Sequence, residues 1–220
     1  MATINVIKKL QAAGISQEEL EAIYQQHKNE YRVLLHLAQH PKFPQSVSLG
    51  IISKLFASDL VRVIKNVKTN PFIRKKAELE FSQRYKRLAL GEKTALLKMA
   101  PNSLLLTFSE ENQTQLIQTI LQNGNCSEDV VLRFINRSSE RCNFYAAFDA
   151  TQWHQNPAVA EAVAHDPEAP IKILVKIIPY LGLSGLQKLF CGEHTHQAVR
   201  DHIKTFLENR GAGGSRDRKP

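Results

Sequence analysis

The sequence predicts an all-α fold, a right-handed α-solenoid of HEAT- or armadillo-like helical repeats of about 42 residues. Three observations carry that expectation. The stretch from Ala38 to Phe81 recurs 126 positions later without a gap, pairing Pro41 with Pro167, Pro44 with Pro170, Ile51-Ile52 with Ile177-Ile178, Leu55 with Leu181, Leu60 with Leu186 and Arg74 with Arg200. A weaker copy lies between them, offset by 83 and 43, in which Asn123-Gly124-Asn125-Cys126-Ser127 replaces the Pro-x-x-Pro entry and Val130, Leu132, Phe134 and Ile135 match Val47, Leu49, Ile51 and Ile52. Finally, no stretch shows sustained period-two alternation with β-branched residues, so no sheet is expected.

Taken in order, a first helix is predicted over Ile4–Ala13, with Gly14 as its stop. Ser16-Gln17-Glu18-Glu19 has the form of a capping box opening a helix with Leu20, Ile23 and Tyr24 on one face, ending near His27. A helix over Asn29–Gln39 carries Val33, Leu34, Leu37 and Ala38. Pro44 suits the first position of the next helix, where its missing amide costs nothing, and Val47, Ile51, Ile52 and Leu55 follow at helical spacing. Ser58-Asp59 is read as the cap of a short helix with Leu60, Val63, Ile64 and Val67 inward. Asn70-Pro71 opens what reads as the longest helix, Pro71 to about Leu88, with Ile73, Ala77, Phe81 and Leu88 on its buried face.

Beyond Gly91 the same grammar predicts short helices over Thr94–Met99 and Leu104–Phe108, punctuated by Asn102-Ser103. Further helices are expected over Gln113–Gln122, near Glu140–Phe148 and over Pro157–Ala164, before the second Pro-x-x-Pro. Residues 1–37 are expected to cap a single repeat domain over 1–210, leaving 211–220 as a flexible tail. Each unit exposes an apolar face that only its neighbours can cover.

The chain has 220 residues and a formal net charge of +8. That charge is local: eleven basic residues against Glu78, Glu80 and Glu92 fall between Arg62 and Lys98. The tail Arg216-Asp217-Arg218-Lys219 is also basic. No apolar run approaches the roughly 18 residues needed to span a bilayer, and the N-terminus lacks the form of a signal peptide; a cytoplasmic protein without membrane association is expected. Cys126, Cys142 and Cys191 show no CxxC spacing, which argues against a zinc ribbon and for reduced thiols.

The strings His40-Pro41-Lys42-Phe43-Pro44, Leu90-Gly91-Glu92-Lys93 and Ala164-His165-Asp166-Pro167-Glu168-Ala169-Pro170 resemble bacterial HEAT-like helical-repeat proteins of the leucine-rich-repeat-variant type, over roughly residues 30–208. The resemblance implies a solenoid fold and carries no active site.

Candidates for chemistry are few. Cys191-Gly192-Glu193-His194-Thr195-His196 holds metal-ligating residue types but lacks a clear fourth ligand, so a capped loop is the preferred reading. No cofactor or metal is expected. His27, His36, His40, His154, His165 and His202 form no local catalytic motif. Gly211-Ala212-Gly213-Gly214 lies in a tail and not between a strand and a helix, which argues against a phosphate loop. Arg74 and Arg200 share a repeat position and read as structural. Trp153 is either an exposed anchor or, more simply, packing.

Arg62, Lys65, Lys68, Lys75, Lys76, Lys86 and Arg87 are the candidate binding residues. They are expected to form a positive stripe that attracts phosphates, with Tyr85 as a single stacking aromatic; the alternative is an ordinary solvated face partly offset by Glu78 and Glu80. In the second copy Lys75 and Lys76 are replaced by Asp201 and His202, so the basic surface is not part of the repeat. The expected function is a non-enzymatic scaffold holding a protein or peptide on its concave face. The alternative is a nucleic-acid-binding solenoid, similar by fold and charge to HEAT-like DNA-repair glycosylases. The sequence does not fix an oligomeric state.

Overall fold

The computed structural model describes residues 2–12, 14–137, 141–193 and 195–213. Those residues form fifteen α-helices and two short 3-10 turns, with no strand among them. The chain divides into two compact units, Met1–Leu104 and Leu105–Pro220.

The first unit holds α1 (Ala2–Leu10), α2 (Gln17–Gln26), α3 (Tyr31–Gln39), α4 (Gln45–Ile52), α5 (Ala57–Lys65), α6 (Pro71–Tyr85) and α7 (Leu90–Met99). Here α3 packs on α1, α2, α4 and α5, while α6 packs on α4 and α5. Helix α8 (Asn102–Thr107) carries the division. The second unit continues with α9 (Thr114–Leu121), α10 (Glu128–Arg137), α11 (Arg141–Asp149), α12 (Pro157–Ala164), α13 (Ile171–Ile177), α14 (Leu183–Cys191) and α15 (Gln197–Gly213). There α9 packs on α11, α12 packs on α10, α13 and α14, and α15 packs on α13 and α14.

The helices recur in threes. Their first members, α1, α4, α7, α10 and α13, begin at residues 2, 45, 90, 128 and 171. The third members, α3, α6, α9, α12 and α15, begin at 31, 71, 114, 157 and 197. A shift of 126 residues brings α1, α3, α4, α5 and α6 onto the starts of α10, α12, α13, α14 and α15, with α2 and α11 two residues out of step. Helix starts thus match at this offset from α1 onward. The buried positions agree as well: Ile51, Ile52, Leu55 and Leu60 are buried, as are Ile177, Ile178, Leu181 and Leu186.

Polar ties within each unit also follow the chain closely. Thr69 Oγ1 donates to the Gln39 carbonyl at 3.2 Å, Tyr31 Oη to Asp59 at 2.6 Å, and Thr114 Oγ1 to Asn143 at 3.2 Å. Among the described residues the longer of these ties span from 21 residues (Tyr145 to Asp166) to 32 residues (Trp153 to Leu121). Trp153 is thereby a packing residue, its indole Nε1 donating to the Leu121 carbonyl at 2.8 Å at the end of α9.

Several local expectations hold. Ser16 Oγ accepts from the Glu19 amide at 3.2 Å and Glu19 Oε2 accepts from the Ser16 amide at 3.0 Å, completing the capping box. Asn70 Oδ1 accepts from the Phe72 amide at 2.9 Å, with Pro71 in the first helical turn.

Others are corrected. α1 ends at Leu10, and Gly14 does not adopt a left-handed conformation, so it is not a C-terminal cap of that kind; Ala13 lies outside the described residues. Pro44 sits one position earlier than expected, as the N-cap of α4, and Pro170 is likewise the N-cap of α13. The cap of α5 is Phe56 rather than Ser58-Asp59, because the Asp59 carboxylate is buried and engaged by Tyr31 and Arg62. Val67 is 80 % exposed, since α5 stops at Lys65 and helical spacing no longer governs it. Gly91 lies inside α7, and the longest helix is α15, with 17 residues against 15 for α6.

Candidate functional site

All seven candidate residues, Arg62, Lys65, Lys68, Lys75, Lys76, Lys86 and Arg87, are exposed. They lie in the first unit, which holds the whole excess charge: Met1–Leu104 contains seventeen Lys and Arg against eight Asp and Glu, and the remainder twelve against thirteen. Arg62 Nη1 is 3.1 Å from Asp59, and Lys75 Nζ is 3.0 Å from Glu78. Lys65, Lys68, Lys76, Lys86 and Arg87 make no side-chain hydrogen bond or ion pair among the described residues, which leaves their charge to solvent or a partner.

Helix geometry sorts them further. Lys75 and Lys86 are eleven residues apart, as are Lys76 and Arg87, and eleven residues are close to three turns. Lys86 is the C-cap of α6 and Arg87 lies one residue beyond it, so the helical spacing holds for Lys75 and Lys86, roughly 16 Å apart at 1.5 Å per residue. Between them Leu79 is 52 % exposed, and Phe72 is 57 % exposed at the N-terminal end. α6 thus buries Ile73, Ala77, Phe81 and Tyr85 on one side and presents mixed cationic and apolar groups on the other.

The neighbouring cations have structural duties. The Arg84 guanidinium donates to the carbonyls of Ser53 and Leu55 beyond the end of α4, and Glu80 holds it at 2.7 Å. Lys93 Nζ stands 4.9 Å from the centre of the Tyr85 ring. Tyr85 is only 2 % exposed. Its reading as a stacking platform is corrected; it falls four residues after Phe81 and continues the buried face. Arg200 Nη2 donates to the Gly192 carbonyl at 2.9 Å, and both Arg74 and Arg200 are half-buried.

Lys68 belongs to a second feature that sequence reasoning missed. A cleft of about 600 Å³ opens where the ends of α1 and α3 meet the loops after α3 and α5. Leu10 and Ile15, each 4 % exposed, form its apolar floor. His36, His40, Lys42 and Lys68 are its titratable lining groups, joined by the amides of Gln39 and Asn66. No carboxylate among the described residues lines it. Burial holds the His36 imidazole below its usual range, and burial together with the Lys42 charge does the same for His40. His40 Nδ1 accepts from the Lys42 amide at 3.2 Å, so the neutral ring keeps its proton on Nε2. Lys42 Nζ reaches the Ile15 carbonyl at 3.4 Å.

The Cys191–His196 string divides between two roles. Cys191 ends α14, and His196 Nδ1 accepts from the Ala198 amide at 3.2 Å at the start of α15; His194 lies outside the described residues, as do the tail residues 214–220. Among the described residues no group of three or more His, Cys, Asp or Glu converges as a metal site, and no helix is long and apolar enough to cross a membrane. Comparison with family models, curated proteins and solved structures gives no match to this chain.

Proposed function

We propose that this chain is a non-enzymatic binding scaffold, a right-handed solenoid of the HEAT/armadillo kind resembling leucine-rich-repeat-variant proteins, which holds a protein or peptide partner on its concave face. One observation carries this: across the 126-residue shift the buried positions repeat and the charged surface does not. Lys75, Lys76 and Leu79 of α6 correspond to Asp201, His202 and Thr205 of α15, while Ile73 and Ala77 correspond to the buried Val199 and Ile203. A fold requirement would mark both copies; a partner requirement marks one. Helices that pack on close chain neighbours, tied by bonds reaching about thirty residues, also suit a quasi-one-dimensional stack whose long face is free to bind.

The test is affinity capture with wild-type protein and with Lys75, Lys76, Lys86 and Arg87 replaced together by Ala. A partner lost by the quadruple variant supports the scaffold. Partners indifferent to that variant and to substitutions across the exposed faces of α3 and α6 count against it.

Nucleic-acid binding is the second reading, favoured by exposed Phe72 one turn from Lys75 and Lys76, since an aromatic beside cations suits single strands. It requires that affinity fall steeply with salt, with a log–log slope of about −0.7 per contacted phosphate on single strands.

A further inference from the structure

The cleft at His36, His40, Lys42 and Lys68 has a counterpart in the second unit. A cleft of about 550 Å³ there is lined by Glu161 and two apolar neighbours and, at positions that match the first cleft, by Asn136, Arg141, Ala162, His165, Asp166 and Pro167. Shifted by 126, those positions are Leu10, Ile15, His36, Gln39, His40 and Pro41, all of which line the first cleft. The same architectural hollow thus occurs twice with different chemistry.

In the second unit the carboxylate at the matching position is paired from within. The Asp166 side chain, 3 % exposed, accepts from Arg141 Nη1 at 2.6 Å and from Tyr145 Oη at 2.6 Å. A buried carboxylate with two short charge-assisted or hydroxyl donors is a satisfied group. In the first unit His40 stands where Asp166 stands, Ile15 where Arg141 stands, and Lys42 where Glu168 stands. Among the lining positions one carboxylate has been exchanged for an imidazole; Lys42 lines the first cleft where Glu168 does not line the second, and Glu161 of the second falls on Leu35, outside the first. What remains is a set of donors around an apolar floor: the ammonium groups of Lys42 and Lys68, which have no acceptor capacity, and His40 Nε2–H.

We propose that the His36–His40–Lys42–Lys68 cleft takes a carboxylate from an acidic segment of a partner polypeptide, in the place that Asp166 fills in the second unit. The inference rests on the scaffold function proposed above and names its partner chemistry. A carboxylate is favoured over a phosphodiester because the sister hollow is closed by one, and because Leu10, Ile15 and Pro41 offer an apolar seat for the stem of an acidic side chain and its apolar neighbours. The volume lies within the range of small-ligand pockets and accommodates a few side chains.

The experiment is calorimetric titration of the full chain at low salt with an acetylated, amidated peptide Glu-Glu-Leu-Glu-Glu-Leu. Comparison ligands are its Gln-for-Glu counterpart, citrate, inorganic phosphate and a single-stranded hexanucleotide. The expected result is binding of the Glu peptide about tenfold or more tighter than the Gln peptide. His40→Asp, which installs the internal carboxylate of the second unit, and Lys68→Ala should each weaken it by about tenfold, with thermal unfolding confirming that both variants fold. Lys54→Ala, at an exposed lysine of the first unit outside both the cleft and the α6 surface, should leave it within twofold. If the Glu peptide binds wild type and His40→Asp equally but is lost when Lys75, Lys76, Lys86 and Arg87 become Ala, the cleft assignment is overturned and the scaffold stands. If only the oligonucleotide binds, both fall. Stronger binding of phosphate than of citrate or peptide, or no binding at all, also overturns the cleft assignment, and affinity capture then decides the scaffold independently.

Discussion

Tyr31 at the start of α3 donates its hydroxyl proton to Asp59 of α5 at 2.6 Å, while the same oxygen accepts from the Phe56 amide at 2.8 Å. One phenol thereby joins two helices and caps the start of one of them. Burial and the Asp59 carboxylate push the Tyr31 pKa up to about 12. Because the folded value lies above the unfolded one near 10, the tie contributes fully below pH 10 and is lost as pH rises toward 12. Tyr31→Phe should lower stability by about 1–3 kcal/mol at neutral pH, as it leaves a buried carboxylate short of a donor. Urea denaturation should also show a shallower decline between pH 10 and 12 than wild type.

Arg84 is a second single-residue tie, reaching back to the Ser53 and Leu55 carbonyls with Glu80 holding its guanidinium. Replacing it with Met keeps the stem and removes the donors, and the expected cost is about 2–3 kcal/mol from lost charge-assisted bonds. Lys should rescue little, since an ammonium cannot reproduce the planar fork. Chemical denaturation of both variants checks this.

The basic surface should behave in the opposite way. Lys75, Lys76, Lys86 and Arg87 are exposed, and the Lys75–Glu78 pair is a surface ion pair of small worth. Their joint replacement by Ala should shift stability by no more than about 1 kcal/mol while abolishing partner capture. A large loss of stability would place them in the fold instead.

Acidification should destabilise the first unit before the carboxylates titrate. His36 and His40 are held below their unfolded value, so the unfolded chain binds protons first as pH falls through about 6.5, and stability drops with it. Lys42 and Lys68 line the same cleft. Glu19, Glu30 and Asp149, whose carboxyls are lowered by hydrogen bonds to their partners, act only further down, below about pH 4.5. Urea midpoints at pH 7.5 and 5.5 should therefore differ, and His36→Asn should narrow the gap.

Thiol chemistry offers an independent check on burial. Cys142 and Cys191 are exposed, whereas burial pushes the Cys126 thiol up to about 12. A disulfide-exchange reagent at pH 8 should titrate two thiols rapidly and the third much more slowly, until denaturant exposes it.

Features set by adjacent residues were legible before any coordinates. The Ser16–Glu19 box and the Asn70-Pro71 start need only local bonding, and the buried faces of α3, α5 and α9 follow from apolar spacing. Tyr85 was legible in principle, since it extends the Ile73, Ala77, Phe81 series by four, but its hydroxyl and basic neighbours suggested a surface role. The cleft was not legible. His36 and Lys68 are brought together by packing, and nothing in their 32-residue separation signals it. Only the shifted comparison of His40 with Asp166, made once both hollows are known, gives the position meaning.

The short span of the polar ties has a consequence for how the chain is made. At roughly 5–20 residues per second, a gap of about 32 residues is translated in some 2–6 seconds. Thr69 therefore emerges from the ribosome within seconds of the Gln39 carbonyl it will bind. Within each unit a helix can close on its chain neighbours while the next is still being synthesised, so a growing unit need never hold much unpaired apolar surface at once.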